Sequence, residues 1–461
     1  MDPIAYLRQE ARRFREEWKE FLRIPSVSAQ SAHAGDVRRA AEWLAARLKR
    51  AGLRVEVRPT PGHPVVIGTW EDRAHGPTLL VYGHYDVQPP EPLDEWDSPP
   101  FEPTERDGRM VARGAVDDKG QLFLHVAAIE AVLATRGALP GRVILVAEGE
   151  EEIGSPHLEN VLRADLARWR PDVVLVSDTS MIAPGWPSIT VGLRGLVYLE
   201  VRVQGPRSDL HSGVYGGAVV NPANALAKML AALVDERGRI AIPGFYDRVR
   251  DLAPEERAAL AALPFDEEAF RREIGAPALG GEEGYTTLER RWVRPSLDVN
   301  GLLSGYTGEG AKTVLPARAM AKLSMRLVPD QDYRDIQERT IAYLQSLAPV
   351  GVEVEIVPLH GGNPWAVTPQ GPWFEAAARA LERAFGRRPV YVREGGSIPI
   401  VEVFQRLYGC PILLVGFGLP GENAHAPNEW MSVDNFHRGA EAIAAFYEEL
   451  PRALGEGERR W

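Results

Sequence analysis

The sequence predicts an α/β protein in which a mostly parallel sheet is interrupted by an inserted α+β sandwich domain. Three observations carry this expectation. Through residues 1–190, short apolar runs alternate with helical stretches, the rhythm of βαβ units. After Arg194 the strand-like segments alternate apolar and polar residues, as half-buried strands do. Beyond Pro369 the first pattern returns, so the chain re-enters the first domain. The expected boundaries are 1–193 and 368–461 for a discontinuous first domain, and 194–367 for the inserted domain.

Residues 1–23 alternate charged and apolar side chains and predict an amphipathic helix without the apolar core of a signal peptide. No stretch reaches the roughly 18 apolar residues of a membrane span, and the expected location is the cytoplasm. A helix over 38–51 is followed by strands at 64–70, 78–83, 142–147 and 172–177, with helices at 120–136 and 156–169 between the later ones. Runs as apolar as LLVYG and VVLVS imply burial on both faces of the sheet. In the insertion, strands at 196–203, 319–327 and 352–356 leave one face to be covered by helices at 221–236 and 332–347. The segment 243–295, rich in charge, Pro and Gly, reads as an elaboration. A helix at 371–385 and a strand at 411–417 complete the first domain.

The chain has 461 residues, 45% of them hydrophobic, enough for two or three domains with their own cores. Its 53 Lys and Arg against 64 Asp and Glu leave a net charge of −11. Without a basic run, it lacks the electrostatic footprint for nucleic acid or an anionic membrane. The single cysteine, Cys410, excludes an internal disulfide and a thiolate cluster, so any metal must sit on oxygen and imidazole.

Polar groups able to bind a cation appear where the buried runs end. The 78–83 run leads into His84-Tyr85-Asp86; the 142–147 run leads into Glu148 and Glu150-Glu151-Glu152; the 172–177 run ends at Asp178; the last run leads through Glu422 to His425. Ligands of open α/β sheets bind beyond the carboxyl ends of the strands, so these loops can converge on one crevice. Asp117-Asp118 precedes the helix near Gly120, where a helix N-terminus also favours anions. Imidazoles and carboxylates without thiols suit Zn²⁺, Mn²⁺ or Co²⁺, and two ions about 3.5–4 Å apart can share a carboxylate. Asp86 is placed to hydrogen-bond the ring nitrogen of His84 that faces away from a metal. A glutamate run at a buried strand end is costly unless cations neutralise part of it.

The strings GHYDVQP (83–89), GAVDDKG (114–120), EGEEEIGS (148–155), SDT (177–179), DLHSGVYGG (209–217) and NAHAPNE (423–429) resemble, in this order, the dinuclear zinc peptidases that include carnosinases, cytosolic nonspecific dipeptidase, aminoacylase, acetylornithine deacetylase, succinyl-diaminopimelate desuccinylase and glutamate carboxypeptidase. The resemblance implies a zinc-peptidase catalytic domain with a ferredoxin-like lid and two divalent ions per chain, Zn²⁺ first, Mn²⁺ or Co²⁺ as alternatives. It places His84 and Asp178 on one ion, Glu152 and His425 on the other, and Asp117 between them, with Asp118 following across a typically cis peptide. It makes Glu151 the general base, beside the supporting Asp86, although the run Glu150-Glu151-Glu152 allows a one-residue slip. It implies a homodimer in which the inserted domain of each subunit sends a histidine, here His211, into the other's site.

The strings AKTVLP, MRLVPD, HGGNPW and REGGSIP are similar to those of the carnosinase branch and imply Thr313, Arg326, His360 and Ser397 as substrate contacts. Arg326 would clamp the free carboxylate, since its planar fork matches two oxygens. The expected reaction is hydrolysis of a dipeptide with a free C-terminal carboxylate. Deacylation of N-acyl amino acids and carboxypeptidase action use the same centre and stay open, as does a silent relative that only binds or scaffolds. His33, His63, His75, His125, His157 and His437 lack acidic or strand-end context and are read as surface, core or helix residues.

Overall fold

The computed structural model describes residues 1–71 and 76–453; His75 and the end of the predicted 368–461 range lie outside them. The described chain forms two compact units. One comprises Met1–Val191, Thr368–Val392 and the chain from Pro399 onward; the other comprises Gly192–Val367 and Arg393–Ile398. Among the described residues no helix is long and apolar enough to cross a membrane.

The first unit is built on a mixed, mostly parallel central sheet. Its strands lie in the order Arg54–Arg58, Val65–Trp70, Arg142–Glu148, Thr78–His84, Val173–Val176, Ile412–Leu414 and Ser188–Leu193. The four middle strands, from Arg142–Glu148 to Ile412–Leu414, are parallel, and their apolar residues are buried on both faces. Val65–Trp70 runs antiparallel to its neighbours on both sides, because a short connection from Arg58 closes a hairpin. Parallel pairing puts His84 beside Glu148 at the carboxyl end of the sheet.

Helix Lys119–Arg136 is buried around most of its circumference and stops at Gly137, in the left-handed region at φ 74°. It packs against Pro3–Gln9 and Val433–Ala453. The expected N-terminal helix is two helices, Pro3–Gln9 and Ala11–Leu22, meeting at Glu10; the second buries Phe14, Trp18, Phe21 and Leu22. Trp18 stacks on Phe436 with ring centroids 4.4 Å apart, which ties the start of the chain to its last described helix.

The second unit runs strand, helix, strand, strand, helix, strand. Its antiparallel sheet has the order Ser296–Ser304, Arg318–Leu327, Gly195–Gln204, Glu353–Gly362, a ferredoxin-like arrangement. Val197, Leu199, Val201 and Val203 face Leu323, Met325, Leu226, Met229, Ile336 and Leu344 in one core. The helix expected over 221–236 is shorter, Pro222–Ala231. The Asp235 carboxylate accepts the amides of Arg237 and Arg239 at 2.9 and 2.8 Å, and this local turn replaces the last helical turn. The strand Ser296–Ser304 escaped the sequence pattern because it is a largely exposed edge whose register shifts between Val299 and Gly301.

Candidate metal centre and substrate contacts

The carboxyl ends of the parallel strands carry two overlapping groups of potential cation ligands: His84, Asp117 and Asp178, and Asp117, Glu152 and His425. Within each group the ligand atoms lie within 4.8 Å of one another. Nε2 of the buried His84 stands 3.1 Å from Asp117 Oδ1 and 3.9 Å from Asp178 Oδ1. Nε2 of His425 stands 2.7 Å from Asp117 Oδ2 and 3.3 Å from Glu152 Oε2. Asp117 thus offers one oxygen to each group.

Local structure explains how each ligand is held. Nδ1 of His84 faces its loop, 3.1 Å from the Asp86 carbonyl and 3.3 Å from Asp86 Oδ1, which leaves Nε2 for the site. The Asp86 carboxylate also accepts the amides of Glu151 and Glu152 at 3.2 and 3.1 Å, fixing the short turn that presents both. Gln88 Nε2 donates to Glu152 Oε2 at 2.8 Å. The Asp117-Asp118 peptide is cis, and Asp118 Oδ2 accepts the His84 amide at 3.2 Å. Gly83 is required here, since a Cβ would lie 2.9 Å from that same Asp118 oxygen. His425 itself lies in the left-handed region at φ 64°, within a loop closed by Glu422, whose carboxylate accepts the amides of Leu419 and Ser432 at 2.7 and 3.0 Å.

The glutamate run divides by environment. Burial pushes the Glu148 carboxyl up to about 8, and it accepts from Ser155 Oγ at 2.7 Å and the Tyr82 hydroxyl at 2.8 Å. Glu150 is also buried, accepting the His63 amide at 3.0 Å and lying 2.8 Å from His157 Nδ1. The expectation that His157 and His33 lack an acidic neighbour is therefore corrected: the His157 ring engages Glu150 through a fold contact invisible in the spacing, and His33 Nδ1 lies 2.7 Å from Asp36 Oδ2, whereas the His63 ring faces the Ser28 carbonyl. With Glu150 turned away and Glu152 in a ligand group, Glu151 remains as the carboxylate facing the cluster without belonging to it.

Burial, reinforced by neighbouring carboxylates, raises the carboxyls of Glu151, Asp178, Asp118 and Glu152. At Asp117 burial acts the same way, but hydrogen bonds to His425 and His84 outweigh it and hold the group low. His425 is pushed up to about 11 by Asp117 and Glu152. So much buried negative charge around two imidazoles, with no thiol near, fits divalent cations that take nitrogen and oxygen donors.

In the second unit Arg326 Nη1 donates to Ser397 Oγ at 3.0 Å, while the Ser397 hydroxyl donates to the Arg194 carbonyl. His360 stacks on Tyr198 at 5.0 Å; burial first, then Arg326, pushes its pKa down. His211 and Thr313 lie apart from these residues in sequence, together on a small exposed ribbon. His211 pairs with Val314, and Thr313 O accepts the Ser212 amide at 3.1 Å. The expected contacts are therefore gathered as Arg326 and His360 on one sheet, with Ser397 reaching Arg326 from a loop, and His211 with Thr313 on the ribbon. Gln88, Arg113 and Glu429 escaped the sequence reading. Glu429 stood in the NAHAPNE string, but its partners become visible only when the loop around Asp117 folds against it.

Strand-end loops that gather carboxylates and imidazoles into two ligand groups sharing one aspartate define a metal-dependent hydrolase. The chain belongs to peptidase family M20/M25/M40, whose sequence profile matches residues 80–449, and it is an enzyme that hydrolyses peptide bonds. It is 34% identical to the Cys-Gly metallodipeptidase dug1 of Schizosaccharomyces pombe over 93% of each chain. Its fold superposes on the crystal structure of human carnosine dipeptidase 1 with a TM-score of 0.87, at 30% identity over 98% of both chains. The M20 family metallo-carboxypeptidase Sso-CP2 of Sulfolobus solfataricus matches at 33% identity and a TM-score of 0.86, covering 95% of this chain and 99% of that one.

Proposed function

We propose that the protein is a metal-dependent dipeptidase acting on substrates with a free C-terminal carboxylate. The observation that carries the reading is Asp117, which faces His84 with one oxygen and His425 with the other. His84, Asp117 and Asp178 would hold one ion, and Asp117, Glu152 and His425 the second, Zn²⁺ before Mn²⁺ or Co²⁺. Bound there, a divalent pair supplies Lewis-acid polarisation of a carbonyl and a water of lowered pKa.

The remaining work belongs to side chains. Glu151 takes a proton from the attacking water and returns it to the leaving amine, a role favoured by burial, which raises its carboxyl well above the ordinary value and makes it a stronger base. Asp86 keeps the Glu151 turn in place through two amide hydrogen bonds. Arg326, oriented by Ser397, presents its fork to the substrate carboxylate, and His360 and Thr313 complete the grip. His211 is exposed, as a residue serving a second subunit must be, and supplies a hydrogen bond to the tetrahedral oxyanion across a homodimer. The exposed apolar side chains Val299, Leu302 and Leu303 on the edge strand support such an association. We place the enzyme in the cytoplasm.

Similarity to a carboxypeptidase keeps a second reading in view, with longer peptides as substrates. One experiment separates the readings. Chelator-stripped protein is reloaded with Zn²⁺, Mn²⁺ or Co²⁺ and offered α-dipeptides, β-alanyl-histidine, tripeptides, longer peptides and N-acetyl amino acids. Metal-dependent turnover of dipeptides is expected; turnover of longer peptides alone gives the carboxypeptidase, and of N-acetyl amino acids alone the deacylase. Two bound ions with no turnover would point to a silent relative.

A further inference from the structure

Glu429 is fully buried yet belongs to neither ligand group. Its Oε2 accepts from Arg113 Nη1 at 2.8 Å and from the Gly114 amide at 2.9 Å. Its Oε1 accepts from the amides of Val116 and Asp117 at 3.0 and 3.1 Å. Each oxygen is met by two donors, and three of them belong to the segment that presents Asp117. The backbones are joined as well: the Glu429 carbonyl accepts the Ala112 amide at 3.0 Å, and Trp430 pairs with Val111. Glu429 also shares its loop with His425, so one side chain ties the segment carrying Asp117 to the segment carrying His425.

The geometry points to Glu429 as a positioning residue of the metal centre: its carboxylate holds the Asp117 backbone in register with His425, so cation affinity at both ligand groups depends on it. This rests on the two-metal reading of Asp117. The side chain must be a carboxylate because donors alone converge on it. An amide in its place would keep one accepting oxygen and turn an NH₂ toward two further donors, leaving them without acceptors in a buried site. Aspartate would keep two acceptors on a shorter arm, unable to reach both pairs at once. Asp117 contributes to both groups, so a shift of its backbone disturbs both ions together, where loss of Gln88 would reach Glu152 alone.

The test is metal affinity in folded protein. Zn²⁺ is titrated into chelator-stripped wild type, Glu429→Gln and Glu429→Asp against a chromophoric chelator, alongside circular dichroism and melting of each apoprotein. Wild type is expected to take two ions, and Glu429→Gln to bind both roughly ten- to a hundredfold more weakly, the usual effect of losing an outer partner of a metal site. Glu429→Asp should fall between them, and excess Zn²⁺ should restore much of kcat in each variant. A lowered melting temperature with unchanged Zn²⁺ affinity overturns the proposal, because it marks a purely structural role. If Glu429→Gln does not fold, wild-type affinity in Glu429→Asp overturns it, and failure of both to fold does so too, since Glu429 would then serve folding alone. A wild type that binds no Zn²⁺ pair would instead remove the metal reading itself.

Discussion

His425 Nε2 lies 2.7 Å from Asp117 Oδ2, across more than three hundred residues of sequence. The contact joins the loop after the last parallel strand to the loop before helix Lys119–Arg136, and through Asp117 Oδ1 it continues to His84.

Asp117→Asn keeps the shape of this bridge but replaces one accepting oxygen with a donor. It is expected to lose both bound ions, whereas Asp178→Asn should lose chiefly the ion held with His84. Metal content per chain after dialysis checks this, and retention of two ions by Asp117→Asn would refute the shared role.

Glu151 faces the cluster without belonging to a ligand group. Glu151→Gln should therefore retain two ions and a near-normal KM while kcat falls by roughly 10²–10⁴, the usual contribution of a positioned general base. A comparable loss in Glu150→Gln, with Glu151→Gln active, would move the base to the neighbouring residue, although Glu150 is already engaged by His63 and His157.

Arg326 and Ser397 share a 3.0 Å hydrogen bond. Arg326→Ala should weaken binding of dipeptides by about 1.5–3 kcal/mol, the worth of a hydrogen bond to a charged group, and raise KM accordingly. Dipeptide amides, which lack the carboxylate, should be poor substrates of wild type and little changed by the substitution. Steady-state kinetics on matched acid and amide pairs reads both effects.

If His211 acts in the other subunit's site, Glu151→Gln and His211→Ala are inactive for different reasons, and their mixture contains sites with both groups intact. Activity after mixing, above that of either variant, is the expected result. Charge placed on the exposed edge strand, as in Leu302→Lys, should shift the mass measured by light scattering toward the monomer.

Burial pushes the Glu422 carboxyl up to about 8, against the two amides it accepts. Its folded pKa lies above the unfolded value of about 4.3, so folding takes up a proton between the two. The stability this group contributes is present at low pH and is lost as pH rises from about 4.5 toward 8. Glu422→Gln lacks this dependence, so the margin by which wild type out-melts it should shrink between pH 5 and 8. Melting curves of both proteins across that range, at fixed metal, test the sign.

The division between legible and hidden features follows the range of the interactions. Strand-end His84 and Asp178 could be read because a buried run ending in a ligand residue is a local signal. His425 was legible in the same way, in the loop after the last buried run, whereas the place of Asp117 between two ions came from a string that resembles a family. The division of labour within Glu148, Glu150, Glu151 and Glu152 was not readable, since Tyr82, Ser155, His63 and His157 reach it from other segments. The edge strand Ser296–Ser304 was missed because its exposed face and bulge remove the alternation that marks a strand.

By itself the sequence determined the α/β class, the inserted α+β sandwich and a donor set of carboxylates and imidazoles, because periodicity and composition are properties of neighbouring residues. Only the tertiary structure decided which oxygen of Asp117 faces which histidine, how Ser397 orients Arg326, and that Glu429 gathers four buried donors. Those contacts depend on hydrogen-bond geometry over a few tenths of an ångström between residues far apart in the chain, and the order of residues carries no such distance.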